Sequence, residues 1–119
     1  MLSIGITNQR ETVVFWDKNT LKPIGNAISW QCLRGIKICE EMKGSNFEDT
    51  FNSSTGLKID PYFSFSKIKW ALDNNKEISA SIKNKTLQIG TVDSWILANL
   101  TENRESKIEI SNASRTGLF

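Results

Sequence analysis

Five consecutive polar residues, Thr-Asn-Gln-Arg-Glu at positions 7–11, separate two apolar runs at residues 4–6 and 13–16. Arg10 and Glu11 are the pair in this step that could bind a ligand. If the chain turns here, a guanidinium and a carboxylate reach the same molecule and offer several hydrogen-bond donors and acceptors at one place. That combination suits a small molecule carrying hydroxyl groups. The alternative is a solvated hairpin turn with a surface ion pair worth ~0–1 kcal/mol.

A second candidate group is Tyr62, which lies in a stretch without regular periodicity at residues 55–64. Asp60 precedes Pro61 and is therefore pushed towards an extended conformation, and Ser64 is a suitable helix N-cap. Tyr62 would then lie just before a helix, where its hydroxyl can face a cleft. The alternative is a half-buried tyrosine whose hydroxyl contacts water.

Composition limits the chemistry that is available. The chain has 119 residues, of which 39% are hydrophobic and 24% charged, as expected for one globular domain. Histidine is absent, which excludes Ser-His-Asp and Cys-His nucleophile systems and His-ligated metals. The net charge of +2 is too small to indicate nucleic acid or an anionic membrane surface. No apolar run is long enough to span a membrane, so the expected location is the cytoplasm.

The remaining motifs point to structure rather than chemistry. Cys32 and Cys39 would lie ~10 Å apart along a helix, too far for a disulfide, and we interpret them as small core residues rather than metal or redox groups. The sequence contains neither of the two glycine-rich phosphate-binding motifs, Gly-x-x-x-x-Gly-Lys-Ser/Thr and Gly-x-Gly-x-x-Gly. It also contains no cluster of residues with metal-ligand spacing.

Hydrophobic periodicity predicts both strands and helices. Strands are predicted at residues 2–7, 12–17 and 23–30, which would form a small meander, and again at 87–89 and 107–111. Helices are predicted at residues 31–43, after an N-cap at Asn46, after an N-cap at Ser64, at residues 75–85, and after an N-cap at Thr91.

Five segments, in order along the whole chain, resemble the FGGY family of carbohydrate kinases. The first, Ile-Gly-Ile-Thr-Asn-Gln-Arg-Glu-Thr at residues 4–12, is similar to the segment that separates the family's glycerol kinases from its sugar kinases. The others are Asn-Ala-Ile-Ser-Trp-Gln-Cys at 26–32, Thr-Gly-Leu-Lys-Ile-Asp-Pro-Tyr-Phe-Ser at 55–64, Gly-Thr-Val-Asp-Ser-Trp at 90–95 and Asn-Ala-Ser-Arg-Thr-Gly-Leu-Phe at 112–119. Any one of these segments is a weak match, but the five together are specific.

The resemblance implies an α/β fold, a partial actin-like (ribonuclease-H-like) domain with a mixed sheet and flanking helices. It implies ATP-dependent phosphorylation of glycerol to sn-glycerol 3-phosphate, with Mg²⁺ as cofactor. By position, Arg10 and Glu11 would bind glycerol hydroxyls, Tyr62 would add a hydroxyl contact, and Trp30 would pack against the carbon backbone of the ligand. A non-catalytic polyol-binding module and a part of a related FGGY sugar kinase are the alternatives.

Two residues depart from the family pattern: Phe65 replaces a small residue after Tyr-Phe-Ser, and Leu33 replaces one of two arginines. Both would add apolar bulk near the site or its supporting residues. The family's Asp-x-Gly-Thr-Thr phosphate loop, its catalytic carboxylate and its C-terminal domain have no counterpart here. We therefore expect residues 1–119 to be part of an N-terminal substrate-binding domain, inactive alone, with ATP held by other regions and a homo-oligomer left open for the full-length protein.

Overall fold

The structure, a computed structural model, describes residues 3–118. It contains two strands and six helices, which confirms the predicted α/β class. In chain order they are β1 (Val13–Asp17), α1 (Ile36–Met42), α2 (Asn46–Thr55), α3 (Ser64–Asn74), α4 (Lys76–Lys83), β2 (Leu87–Thr91), α5 (Val92–Leu100) and α6 (Ile110–Ala113), with a final 3₁₀ turn at Ser114–Thr116.

The sheet of the described residues joins two segments that are far apart in the sequence. β1 pairs antiparallel with β2 in a register that places Val13 opposite Thr91 and Asp17 opposite Leu87. The other edge of β1 receives isolated bridges from Pro23 and Ile28. Since β1 is covered on both edges, its backbone hydrogen-bonding groups are satisfied inside the fold.

β1 is buried on both faces, and its alternating side chains serve two different cores. Val13 and Phe15 pack in one cluster with buried residues that include Ala71 and Ile78. Val14 and Trp16 pack in a second cluster with Ala98 of α5. This explains why residues 13–16 form a continuous apolar run instead of an alternating one.

A third core lies between α1, α2 and α3 and holds five buried side chains, Cys39, Phe51, Ile59, Phe63 and Phe65. Gly35, just before α1, permits the close approach of α1 to α3, because a Cβ there would lie 2.6 Å from the Ser66 side chain. Gly117 has a left-handed φ of 73° and packs against the Phe65 and Phe51 rings, so the end of the described chain is tied to this third core.

Two helix starts differ from the predicted caps, and a third cap residue lies where predicted but makes no capping hydrogen bond. Ser45 rather than Asn46 caps α2, and its side chain accepts from the Phe47 backbone N–H. Ser64 is the first residue of α3 instead of its cap. Thr91 holds the N-cap position of α5 as predicted, but its hydroxyl makes no capping hydrogen bond. The hydroxyls of Ser64 and Thr91 are used elsewhere in the fold.

Four predicted segments are corrected. The strand at residues 2–7 is absent over 3–7, while Leu2 lies outside the described residues. The run at 23–30 contributes bridges only, so the predicted meander does not form. The helix at 31–43 is limited to Ile36–Met42. The strand at 107–111 is wrong: this stretch is irregular up to Glu109, whose carboxylate caps α6.

No helix within residues 3–118 combines the length and the apolar character that crossing a membrane requires.

Candidate functional site

Glu11 occupies a strained turn immediately before β1. Its φ of 61° lies in the left-handed region, which a residue with a Cβ adopts at a cost of about 1 kcal/mol or more. Only 2% of the residue is exposed. Its Oε1 accepts from the Arg115 Nε at 3.0 Å, so the buried charge is paired. The turn therefore holds the Glu11 carboxylate in the interior of the fold.

Neighbouring hydrogen bonds fix this turn from outside the strand. The Ser64 Oγ, at the start of α3, donates to the Glu11 carbonyl at 3.2 Å. The Thr12 Oγ1 accepts from the Trp30 backbone N–H at 3.0 Å and from the Gln9 Nε2 at 2.7 Å. The segments carrying Trp30 and Tyr62 are thus tied to residues 11 and 12.

Aromatic rings from two loops meet beside the turn. The Trp30 and Tyr62 rings lie 5.6 Å apart between centroids at an interplanar angle of 65°, an edge-to-face arrangement favoured by the ring quadrupoles. The Arg115 guanidinium carbon lies 5.8 Å from the Tyr62 ring centroid and 5.0 Å from that of Phe63. Arg115 therefore links the Glu11 carboxylate to the aromatic group.

Trp30 and Tyr62 also line one hollow of about 300 Å³, whose other walls are Gln31, Leu33, Asp60 and Pro61. Neither Arg10 nor Glu11 lines it. Arg10 is exposed in the same turn as Glu11, and no ion pair of the described residues includes it. The structure thus connects Glu11 to Trp30 and Tyr62 through Arg115, while Arg10 is exposed next to Glu11 in the chain.

The two departures from the family pattern lie in different places. Phe65 is buried in the third core, with its ring centroid 5.1 Å from that of Phe51. Tyr62 packs against the same core, so the bulk of Phe65 lies among residues that support the site. Leu33 is 63% exposed and lines the hollow of Trp30 and Tyr62.

A polar junction adjoins the turn and was not predicted from the sequence. The Asn8 Oδ1 accepts from the Asp93 backbone N–H at 3.1 Å. The Asn112 Nδ2 donates to the Thr91 Oγ1 at 2.8 Å and to both oxygens of Asp93 at 3.1 and 3.0 Å. The Thr91 hydroxyl also donates to the Asp93 carboxylate. This junction joins the N-terminal segment, the start of α5 and α6.

Arg115 and Asn112 are the principal site residues that sequence reasoning missed as individuals, although both lie in a segment that carries the family resemblance. The one signal that could have indicated Arg115 is electrostatic, because a buried Glu11 requires a cationic partner. No sequence spacing connects residue 11 with residue 115.

Three titratable groups near this region have shifted pKa values. Burial lowers the pKa of the Lys67 ammonium, outweighing nearby negative charges that raise it. Burial raises the pKa of the Cys39 thiol. At Cys32, burial acts to raise the pKa, but a hydrogen bond from the Arg34 side chain and the charge of Arg34 outweigh it, and the pKa is lowered. Neither thiol is in a disulfide.

Comparison with known proteins identifies the class to which this fold and site belong. The chain belongs to the FGGY carbohydrate kinases: residues 1–119 match the family model described as "FGGY family of carbohydrate kinases, N-terminal domain". This confirms the family resemblance seen in the five sequence segments.

The similar proteins are glycerol kinases. The chain is 52% identical over 117 residues to the glycerol kinase of Halothermothrix orenii, covering 98% of this chain and 23% of that protein. It is 51% identical over 117 residues to the glycerol kinase of Shewanella oneidensis, covering 98% of this chain and 24% of that protein. The crystal structure of Plasmodium falciparum glycerol kinase with ADP matches at a TM-score of 0.89 and 41% identity, covering 97% of this chain and 22% of that one. The chain thus spans less than a quarter of the length of these relatives.

Proposed function

We propose that this chain is the glycerol-binding portion of an FGGY glycerol kinase, an enzyme that transfers the terminal phosphoryl group of ATP to glycerol and releases sn-glycerol 3-phosphate and ADP. The observation that carries the proposal is the buried Glu11 carboxylate, held in a strained turn, paired with Arg115 and connected to the Trp30–Tyr62 group. Backbone strain and a buried charge both lower the stability of the fold, and residues that combine such features occur preferentially at binding sites.

The chemistry of the group suits a small triol. Glycerol needs partners for hydroxyls that both donate and accept, and an apolar wall for its C–H surface. We assign the accepting role to Glu11 and the donating role to the exposed guanidinium of Arg10. Tyr62 supplies a further hydroxyl contact, and Trp30 supplies the wall. Arg115 balances the charge of Glu11, which keeps the carboxylate in place when no ligand is bound.

The nucleotide and Mg²⁺ are proposed for the whole enzyme but are assigned to none of these residues. Phosphoryl transfer needs positioned phosphates, a metal ion and a base. The sequence has no glycine-rich phosphate loop, and within residues 3–118 no group of three His, Cys, Asp or Glu side chains could hold a metal ion. The residues present therefore do not fit these groups, and we derive no catalytic step through them.

We extend the proposal to the setting of the enzyme. A kinase that consumes ATP is suited to the cytoplasm, where ATP is made and used, and a homo-oligomer is compatible with a larger protein of which this chain is a portion. The modest charge of +2 gives no basis for nucleic acid as a partner.

A chimera tests the proposal directly. The 117 residues of Halothermothrix orenii glycerol kinase that match this chain would be replaced by their counterparts here, and glycerol-dependent ADP formation would be measured. We expect turnover of glycerol, and we expect Arg10→Ala in the chimera to raise the KM for glycerol. A folded chimera that phosphorylates a pentose or gluconate instead would point to a sugar kinase, and one with no turnover would contradict the proposal.

Calorimetry on the chain itself distinguishes a binding module from an enzyme portion. We expect heat of binding with glycerol and a weaker signal for Arg10→Ala. Binding by the chain together with an inactive, folded chimera would favour a non-catalytic polyol-binding module.

A further inference from the structure

Lys67 is a fully buried lysine in the first turn of α3. Only 1% of it is exposed, although lysine is almost never fully buried unless its charge is paired. No ion pair of the described residues includes it. Its Nζ instead donates to the backbone carbonyls of Pro61 and Tyr62, both at 2.6 Å, and of Phe63 at 3.3 Å.

This position is unfavourable for a cation on general grounds. The N-terminal end of a helix carries a partial positive charge, which disfavours an ammonium group near it. Burial adds a desolvation cost, in keeping with the lowered pKa of Lys67. Three carbonyl dipoles satisfy the three N–H donors, so the ammonium is accommodated because residues 61–63 wrap around it.

The wrapped segment is the one that presents Tyr62. The Tyr62 ring makes its edge-to-face contact with Trp30 and lies 5.4 Å from the Phe63 ring centroid. The Asp60 Oδ1 accepts from the Tyr62 backbone N–H at 2.8 Å. The carbonyls of Pro61 and Phe63 also accept from the Ser66 Oγ, at 3.3 and 3.2 Å. Lys67 contributes three of the hydrogen bonds that fix this turn, two of them short.

We propose that Lys67 is a positioning residue for glycerol binding: by holding three consecutive carbonyls, it fixes the loop that places Tyr62 beside Trp30 and Arg115. This inference rests on the proposed function, and it assigns Lys67 no contact with the ligand. Its effect on affinity comes from preorganisation, because a loop already ordered before binding loses less entropy when the ligand arrives.

The chain offers a direct probe, because Tyr62 is its single tyrosine. Labelling with 3-fluorotyrosine gives one ¹⁹F resonance that reports the surroundings of this ring alone. We expect Lys67→Met, which keeps most of the side-chain stem but removes the three donors, to move the resonance towards its position in urea and to weaken glycerol binding about tenfold. The matched control is Lys69→Met, on the same helix, where an exposed lysine pairs with Asp73 at 2.7 Å. It should leave both readouts unchanged.

A measurement without any substitution covers the case in which Lys67→Met does not fold. In the ¹H–¹⁵N spectrum of the lysine side chains of the unsubstituted chain, we expect one ammonium signal protected from exchange and coupled to the carbonyl carbons of Pro61 and Tyr62. Absence of such a signal would overturn the inference.

The outcomes separate this inference from the proposed function. If the unsubstituted chain does not bind glycerol, the proposed function is overturned, while the fluorotyrosine resonance still decides whether Lys67 fixes Tyr62. An unchanged resonance in folded Lys67→Met overturns the inference about Lys67. A moved resonance with unchanged glycerol affinity overturns it as well, because the placement of Tyr62 would then not serve binding.

Discussion

At the scale of single residues, Glu11 combines a strained backbone with a buried charge, and Arg115 compensates that charge by an ion pair. We predict that Glu11→Gln lowers the free energy of unfolding by about 1–2 kcal/mol, since it removes the charge while leaving Arg115 in place. The measurement is urea unfolding. Glu41→Gln is the matched control, because it breaks an exposed pair with Lys37 at 3.9 Å and should change the stability by less than about 0.5 kcal/mol. Equal effects of the two substitutions would contradict the burial argument.

The two cysteines give a pH-dependent prediction. The thiolate is the reactive form, and the pKa is lowered at half-buried Cys32 but raised at buried Cys39. At neutral pH Cys32 therefore has the larger thiolate fraction, and its alkylation by iodoacetamide should reach half its maximal rate at lower pH than that of Cys39. Mass spectrometry measures the alkylation rate of each cysteine separately in the variants Cys32→Ser and Cys39→Ser, each of which keeps one thiol.

The substitution Arg34→Met tests whether Arg34 causes the lowered pKa of Cys32. The Arg34 Nε donates to the Cys32 Sγ at 3.0 Å, so its removal should slow alkylation of Cys32 at neutral pH and leave Cys39 unaffected. No response to Arg34→Met would show that exposure alone governs the two rates, and faster alkylation of Cys39 than of Cys32 in the folded chain would contradict the prediction.

Part of the site was readable from the sequence at this scale. Arg10 and Glu11 stand out because they interrupt two apolar runs, and Tyr62 because it precedes a helix in an aperiodic segment. The pairing of Glu11 with Arg115 was not readable, because it joins residues that share no local period and meet only through the tertiary fold.

At the scale of elements, the presence of helices was more predictable than that of strands. We predict that Asn75→Ala destabilises the chain by about 1 kcal/mol, because the Asn75 Oδ1 accepts from the backbone N–H groups of Glu77 and Ile78 at 2.9 and 3.2 Å. Thermal unfolding measures the change. Asn74→Ala is the control, since its exposed side chain donates only to the Trp70 carbonyl. A larger loss for Asn74→Ala would exclude capping as the reason.

The failed strand at residues 107–111 shows why local pattern was insufficient. Lys-Ile-Glu-Ile-Ser alternates polar and apolar residues, as a half-buried strand does. Within residues 3–118 the sheet consists of β1 and β2 alone, and residues 107–111 form no ladder with either strand. The Glu109 carboxylate instead caps α6, and the hydrogen bond from the Ser111 hydroxyl, with those from backbone N–H groups, lowers the pKa of Glu109.

At the scale of the whole molecule, the junction of Asn112 with Thr91 and Asp93 holds α6 against the start of α5. Asn112 is 4% exposed. We predict that Asn112→Ala costs about 2 kcal/mol and raises amide hydrogen exchange in residues 108–118 more than in α3. Ser114→Ala, which removes an exposed hydroxyl donating to the Ser111 carbonyl, is the control. Uniform exchange across the chain after Asn112→Ala would indicate global destabilisation instead of release of this segment.

The ion pair between residues 11 and 115 also bears on how the protein is made. A ribosome delivers Glu11 and β1 early, but the partner strand at Leu87–Thr91 and the guanidinium at position 115 emerge only near the end of this segment. Contacts this distant in sequence close late, because the intervening loop must be ordered first. While residues 1–115 are being synthesised, the nascent chain therefore carries an unpaired strand edge and an uncompensated carboxylate, and this is the interval in which a chaperone would have most effect.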